Sequence, residues 1–194
     1  MRIGIFGGTF DPIHKGHLAL ALAAKEQARL DKVLFIPANI PPHKTDRCEE
    51  MRSAEDRYRM VSLACQGYPG LEASRTEIDR GGISYTIDTL QEIQKVQPDA
   101  EIFLILGEDN LKGLSSWHRA EELLCMAHFL VARRYGGKPK EIQGAAITWL
   151  KMPEYPYASS EIRGRIERGE IPAEALPEAV AEYIRTKQLY RCNT

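Results

Sequence analysis

Residues 3–20 constrain the fold of this chain more than any other stretch. Residues 3–6 form a short, mainly apolar run, which is the pattern of a strand buried inside a sheet. Gly7 and Gly8 come next, a turn follows, and from about Gly16 apolar residues recur at helical spacing. A strand, a glycine loop and a helix in this order predict the first unit of an α/β fold.

Two histidines lie where this helix begins. His14 and His17 are three residues apart, so they share one face of a helix that starts by His14. A helix start offers unpaired backbone N–H groups and the positive end of the helix dipole, and both attract anions. Because Gly7 and Gly8 let a phosphate approach the backbone closely, the stretch predicts a nucleotide phosphate site. The spacing of the glycines differs from the dinucleotide fingerprint, and the Gly-Lys-Ser/Thr of a P-loop is missing.

Composition excludes several classes of protein. The chain has 194 residues, enough for one good core and marginal for two, so we expect a single domain over 1–194. A net charge of −1 argues against a general nucleic-acid binder. No apolar run approaches the roughly 20 residues that span a bilayer, and no signal segment precedes the first strand, so we expect a cytoplasmic protein without membrane contact. Four scattered cysteines suggest neither a zinc site nor a disulfide framework.

Further apolar runs predict a parallel sheet. They suggest strands at residues 33–36, 71–78, 102–106, 128–131 and 147–150. Helical spacing recurs at residues 54–65 and 85–96, and two more helices are expected near the C-terminus. We therefore predict an α/β fold with a Rossmann-like parallel sheet between helices and a small C-terminal helical segment at about 158–194. Arg57, with Asp56 and Arg59, is expected on the solvated face of its helix.

Polar residues follow several of the predicted strands at their carboxyl ends, which is the edge where open α/β sheets bind ligands. The loop after the second strand contains two prolines and brings Lys44 there. Glu108 and Asp109 follow Gly107, and a carboxylate at this place suits the hydroxyl groups of a ribose. Two arginines, of which Arg134 is the second, follow a later strand and could clamp a phosphate.

Two further segments present groups suited to a ligand. Ser84, Tyr85 and Thr86 open a helix with hydroxyl groups, and capping alone would explain only one of them. Trp117 stands among polar neighbours, so an exposed ring that stacks on a flat ligand is a reasonable alternative to a core position.

The C-terminal segment contains a second anion motif. Ser159 and Ser160 stand at a predicted helix start, and Ser160 is the expected N-cap. Arg163 lies near the positive end of that helix, where a cation is disfavoured. An anion bound between the serines and Arg163 would offset this conflict.

Taken together, the motifs resemble the bacterial nicotinate mononucleotide adenylyltransferases, a family of the nucleotidyltransferase superfamily. The resemblance covers nearly the whole chain. Its matching segments are Gly-Gly-Thr-Phe-Asp-Pro-Ile-His-Lys-Gly-His (7–17), Phe-Ile-Pro-Ala-Asn-Ile-Pro-Pro-His-Lys (35–44), Ser-Tyr-Thr-Ile-Asp-Thr-Leu (84–90), Gly-Glu-Asp-Asn-Leu (107–111), Trp117-His118, the Ser-Ser-x-Ile-Arg core (159–163), Tyr183-Ile184 and Leu189-Tyr190. The first motif is shared across the superfamily, and the second, the third and the Trp117-His118 motif narrow the resemblance to this family.

The resemblance implies transfer of the adenylyl group of ATP to nicotinate mononucleotide, with release of pyrophosphate, in NAD biosynthesis. Catalytic roles are implied for His14, His17, Lys44 and Arg163. ATP would be bound by Gly7, Gly8, Thr9, Phe10, His14, His17, Gly107, Asp109, Ser159, Ser160 and Arg163. The mononucleotide would be bound by Lys44, Ser84, Tyr85, Thr86, Trp117 and Arg134, with Trp117 stacked on the pyridine ring.

The chemistry that the resemblance implies needs no protein nucleophile. A phosphate oxygen of the mononucleotide is ionised at neutral pH and would attack the α-phosphorus of ATP directly. A magnesium ion would arrive with ATP, held largely by phosphates and water, so no protein metal site is expected. Three positions depart from the usual pattern: Ala158 precedes the serine pair, Glu108 separates glycine from aspartate, and Tyr135 follows Arg134.

Other functions agree less well with the sequence. Pantetheine-phosphate adenylyltransferases share the histidine motif, but they are usually shorter and lack the Trp117 segment. A nicotinamide-dependent dehydrogenase is disfavoured by the glycine spacing, and a metal site at His14 and His17 lacks a third ligand. A non-catalytic nucleotide-binding protein would keep the same pocket. The sequence leaves open whether the nicotinate form is preferred over the nicotinamide form. It also leaves open the oligomeric state, which includes the possibility of a homo-oligomer.

Overall fold

The computed structural model describes residues 1–43, 51–111, 113–132, 142–153 and 155–191. Six parallel strands form one sheet in the order β3-β2-β1-β4-β5-β6. The strands are β1 (Arg2–Gly8), β2 (Lys32–Pro37), β3 (Leu71–Ala73), β4 (Glu101–Gly107), β5 (His128–Ala132) and β6 (Ile147–Leu150). The helices are α1 (Lys15–Gln27), α2 (Ala54–Cys65), α3 (Thr76–Arg80), α4 (Thr86–Val96), α5 (Glu108–Leu111), α6 (Ala120–Met126), α7 (Ser159–Glu167) and α8 (Glu178–Thr186). The predicted fold class is confirmed.

Each face of the sheet carries its own apolar core, because side chains of a strand alternate between the two faces. In β1, Ile3 and Ile5 pack on one side with apolar residues of α4, α5 and α6. Phe6 packs on the other side with apolar residues of α1, α2, α7 and α8. The C-terminal helices therefore complete one of the two helical layers, on the side where α1 carries the histidines.

The predicted strand at residues 71–78 is correct only for its first part. β3 ends at Ala73, because it pairs with just three residues of β2 at the edge of the sheet. The chain then turns into the short helix α3, in which Glu77 is buried. β1, by contrast, is longer than the first apolar run, because Gly7 and Gly8 continue the strand and pair with Ile36 and Pro37.

Of the helices described here, none is both long and apolar enough to pass through a membrane.

Candidate active site

β1 and β4 are the two neighbouring strands from which the sheet order proceeds in opposite directions, and the space above their carboxyl ends is called the crevice below. Open parallel sheets bind ligands at such a switch point. Gly7 near the end of β1 is exposed, and a Cβ built on it meets no heavy atom within 4 Å. A Cβ on Gly107, the last residue of β4, likewise meets nothing within 4 Å. Both glycines therefore border open space at the centre of the sheet.

Gly7 borders open space whereas Gly8 packs against the Phe10 ring, so substitutions at the two positions separate effects on ligand binding from effects on packing. A Cβ on Gly8 would lie 2.9 Å from Cζ of the Phe10 ring, and Phe10 is buried in the core. We expect Gly8→Ala to lower the free energy of unfolding by about 1–3 kcal/mol, because the ring must shift. Gly7→Ala should leave stability near that of the wild type but weaken ATP binding about tenfold, because the new methyl group enters the crevice.

Urea unfolding and isothermal titration with ATP test this pair of variants side by side. Unchanged ATP affinity in Gly7→Ala would show that the crevice above β1 does not hold the nucleotide. The Phe10 side chain itself is 3% exposed, so any contribution of this residue to nucleotide binding has to come from its backbone.

The two predicted histidines stack on each other at the start of α1. Their ring centroids are 3.7 Å apart, and the planes are inclined by 28°. His14 is the N-cap residue, and its backbone N–H donates to Nδ1 of His17 at 3.1 Å. Phe6 and Phe10 support the His17 ring from the core side, with centroid distances of 5.9 and 5.1 Å. The spacing of three residues thus places both imidazoles on one face, as predicted.

The hydrogen bond at the N-cap also fixes the tautomer of His17. Since Nδ1 accepts the His14 N–H, a neutral ring must carry its proton on Nε2. Burial lowers the pKa of His17 well below its ordinary value, and the adjacent His14 ring lowers it further. Burial also lowers the pKa of His14 to about 4. Both rings are therefore neutral near pH 7, and His17 presents an uncharged Nε2–H donor.

The low pKa of His14 predicts a pH-dependent stability. An unfolded histidine titrates near pH 6.5 whereas the folded His14 titrates at about 4, so between these values only the unfolded chain takes up the proton. Stability should therefore fall as the pH drops from 6.5 towards 4, by up to about 3 kcal/mol from this residue. In His14→Asn that part of the fall should disappear, and asparagine is a good N-cap residue. Urea unfolding of the wild type and His14→Asn at pH 7.5 and 4.5 measures how much stability each protein loses. An equal loss in both proteins would contradict the prediction.

The C-terminal segment reaches the loop that leads into the histidines. The hydroxyl of Ser159 donates to the Pro12 carbonyl at 2.9 Å, and Arg163 Nη1 donates to the Asp11 carbonyl at 2.7 Å. The Tyr157 ring lies 6.5 Å from the His14 ring. Opposite ends of the chain therefore meet at the histidine pair.

The start of α7 differs from the prediction. The N-cap is Ala158 and not Ser160, and no side chain caps the helix. Ser159 is the first helical residue, and its hydroxyl makes the contact with Pro12 instead of a cap. Ser160 is exposed beside it. The bond from Arg163 to the Asp11 carbonyl gives this cation a partner within the protein, in addition to any bound anion.

A second group of predicted residues lies at the start of α4. Tyr85 is its N-cap and Thr86 its first residue, and no side chain caps the helix. The Tyr85 ring contacts that of His118, with centroids 4.3 Å apart and planes inclined by 33°. Trp117 and Tyr85 are both partly buried against the core beneath them. The structure therefore brings Tyr85 and the Trp117-His118 pair together.

Ser84 behaves differently from its two successors. It is buried, and its Oγ accepts the backbone N–H of Asn39 at 2.8 Å. Its own N–H donates to the Ile40 carbonyl. These bonds join the loop before α4 to the loop after β2, so the hydroxyl is engaged within the protein.

The remaining predicted residues fall into two groups. Thr9 lies in the loop after β1, and Asp109 lies exposed in α5, which begins directly after Gly107. Lys44 and Arg134 lie outside the described residues, so their assigned roles stay predictions.

Arg57 is a residue that the sequence analysis placed incorrectly. The sequence pattern predicts a solvated face for it, but its side chain is 1% exposed. Its guanidinium donates to the carbonyls of Arg52, Thr9 and Asn39 at 2.9–3.0 Å. Burial lowers its pKa, and the charges of Asp11, Tyr190 and Glu77 oppose that change. The one feature of the sequence that indicates a role at the site is the position of Arg57 on the helix that follows the loop after the second strand.

Family and fold comparisons agree with this geometry. The model of the cytidylyltransferase-like family matches residues 5–165, which defines the class as a cytidylyltransferase-like α/β protein. A protein of Moorella thermoacetica named "Probable nicotinate-nucleotide adenylyltransferase" is 39% identical over 98% of this chain and 92% of its own length. A protein of Geobacillus thermodenitrificans with the same name is 37% identical over 100% of this chain and 88% of its own. The chain therefore belongs to the nicotinate-nucleotide adenylyltransferase family.

Solved structures share the fold. The nicotinic acid mononucleotide adenylyltransferase of Plasmodium falciparum in complex with NaAD superposes with a TM-score of 0.81, covers 97% of both chains and is 18% identical. The same enzyme in complex with APC gives a TM-score of 0.80. At this level of identity the likeness concerns the fold.

Proposed function

We propose that this chain transfers the adenylyl group of ATP to nicotinate mononucleotide, giving nicotinate adenine dinucleotide and pyrophosphate as a cytoplasmic step of NAD biosynthesis. The observation that carries the proposal is the meeting of the two chain ends. The stacked histidines, the Ser159 hydroxyl and the Arg163 guanidinium surround one loop beside the open crevice of Gly7. The names of the relatives, which match over nearly the whole chain, support the same reaction.

The chemistry follows from groups that the chain provides. An ionised phosphate oxygen of the mononucleotide attacks the α-phosphorus of ATP, the new P–O bond forms, and the bond to the β-phosphate breaks to release pyrophosphate. No general base is needed, because the attacking oxygen carries no proton. Catalysis then consists of aligning two anions and stabilising the charge that develops. His17 donates from Nε2, and Arg163 supplies a permanent positive charge.

A magnesium ion fits this site as a companion of ATP. Asp11 is a carboxylate in the loop between β1 and His14; it is 3% exposed and accepts a hydrogen bond from the Tyr190 hydroxyl at 2.6 Å. Within the described ranges, no group of three or more His, Cys, Asp or Glu side chains converges on one point. His17 and Arg163 instead offer hydrogen-bond donors, which suits phosphates that carry their own cation. Bound to the phosphates, Mg²⁺ would neutralise part of their negative charge.

The acceptor would bind on the side of the crevice where α4 begins. Its first backbone N–H groups have no side-chain cap, so they can donate to the carboxylate of the pyridine ring. Thr86 stands at this start, directly after Tyr85, whose ring contacts that of His118; the rings of Tyr85 and Trp117 would supply flat surfaces for the pyridine ring. Lys44 and Arg134 would add positive charge towards the phosphate of the mononucleotide. This arrangement favours the acid form of the ring over the amide.

Steady-state assays of the purified chain test the proposal. ATP and Mg²⁺ are combined with nicotinate mononucleotide, nicotinamide mononucleotide or phosphopantetheine, and pyrophosphate and the dinucleotide product are measured. We expect the highest kcat/KM with the nicotinate form. Comparable values for both mononucleotides would overturn the acid specificity, and turnover only with phosphopantetheine would overturn the acceptor. Binding of ATP without pyrophosphate release from any acceptor would show a non-catalytic nucleotide-binding protein.

A further inference from the structure

Arg57 occupies a position that is costly to fill with a charge. Its side chain lies beneath the loops at the carboxyl edge of the sheet, and removing a guanidinium from water is unfavourable unless its hydrogen bonds are replaced. An apolar residue would fill the same space without that penalty. What the guanidinium adds is a rigid fork of donors, and here the fork contacts backbone carbonyls.

The three carbonyls belong to different parts of the site. Nη1 donates to Thr9 in the loop after β1, and Nη2 donates to Asn39 in the loop after β2. Nε donates to Arg52, next to the start of α2. A single side chain thus sets the separation between the loop that leads to the histidines and the loop after the neighbouring strand.

From Asn39 the connection continues to the acceptor side. The Asn39 N–H donates to Ser84 Oγ at 2.8 Å, and its side-chain amide donates to the Gly82 carbonyl at 3.0 Å. Ser84 immediately precedes Tyr85, the N-cap of α4. Hydrogen bonds anchored by the buried side chains of Arg57 and Ser84 therefore connect Thr9, through Asn39, to the start of α4.

We propose that Arg57 and Ser84 are positioning residues that fix the ATP half-site relative to the acceptor half-site. This inference rests on the proposed function. In-line attack requires the two substrates to be held in register, and a displacement of about 1 Å can lower the rate about a hundredfold. Loosening the connection should therefore reduce the rate of the chemical step while each substrate still binds its own half-site.

The variants Arg57→Lys and Ser84→Ala test the proposal. Lysine keeps the charge but cannot reach three carbonyls at once, and alanine removes the acceptor of the Asn39 N–H. Each variant is titrated separately with ATP and with nicotinate mononucleotide, and the single-turnover rate is then measured with both substrates and Mg²⁺. We expect dissociation constants within about threefold of the wild type and rates lowered about tenfold or more. Arg75→Lys serves as the control, because Arg75 makes surface ion pairs with Glu55 and Asp79.

The same measurements contain the results that would overturn the proposal. Wild-type single-turnover rates in both variants would contradict it. A loss of rate matched by an equal loss of affinity for one substrate would also contradict it, because that result would indicate direct contact between Ser84 and the substrate. The double variant adds a further test, because both residues act through Asn39 and their effects should be less than multiplicative. If Arg57→Lys does not fold, Ser84→Ala decides by the same criteria. Absence of turnover in the wild type would instead refute the proposed function.

Discussion

His17→Asn is expected to lower kcat by about 10²–10³-fold while the protein keeps almost all of its stability. Asparagine can place its side-chain oxygen near the position of Nδ1 and accept the His14 N–H. It cannot place a donor where Nε2–H stands. The loss therefore isolates one hydrogen bond to the charge that develops on the phosphates, and removal of one such donor typically has an effect of this size.

His17→Ala provides the matched comparison, because it removes both the donor and the acceptor of the N-cap bond. We expect a similar loss of kcat, together with a decrease of about 1 kcal/mol in the free energy of unfolding. Initial rates at saturating ATP and nicotinate mononucleotide, with urea unfolding of all three proteins, measure both quantities. If either variant turned over at a near-normal rate, the catalytic role of His17 would be wrong.

The histidine pair could be predicted from sequence because its geometry is local. Three residues along a helix fix which side chains share a face, and the preceding strand and glycines are also contiguous in sequence. The structure accordingly places His14 and His17 in contact and Gly7 beside open space. The parallel sheet was predictable for a similar reason, since each strand is a short apolar run.

Arg57 could not be predicted, because its surroundings are assembled by the tertiary fold. In the sequence it stands between Asp56 and Tyr58 in a helix of mixed polarity. The carbonyls that it contacts come from residues 9, 39 and 52, of which two are distant in sequence. A sequence pattern reports the polarity of a residue but not which backbone groups are buried without a partner. Ser84 is a similar case, because its hydroxyl is engaged by the N–H of Asn39.

Ser159 shows how a tertiary contact can override local helix chemistry. A serine pair at a helix start predicts a side-chain cap, and the helix does begin there. The hydroxyl of Ser159 instead donates to Pro12, across most of the length of the chain. This contact is itself informative about the site, because it ties the start of α7 to the loop before His14.

Arg163→Met is expected to lower kcat/KM for ATP about a hundredfold. The guanidinium holds the Asp11 carbonyl through Nη1, and its remaining N–H groups and its charge are available to a phosphate at the positive end of α7. Charge-assisted hydrogen bonds contribute about 1.5–3 kcal/mol each, so the loss of the charge and its bonds accounts for an effect of this size. Arg163→Lys should recover part of the ATP affinity, because it keeps the charge without the fork of donors.

The matched control is Arg168→Met at the opposite end of the same helix. Arg168 is the C-cap residue and is exposed, so its removal should change kcat and KM by less than about twofold. It should cost about 0.3–1 kcal/mol of stability, because a cation is favourable at a helix C-terminus. Initial rates over a range of ATP concentrations, at saturating nicotinate mononucleotide, separate the two positions. Equal kinetics in Arg163→Met and Arg168→Met would mean that α7 only braces the loop before His14 and does not contact the triphosphate.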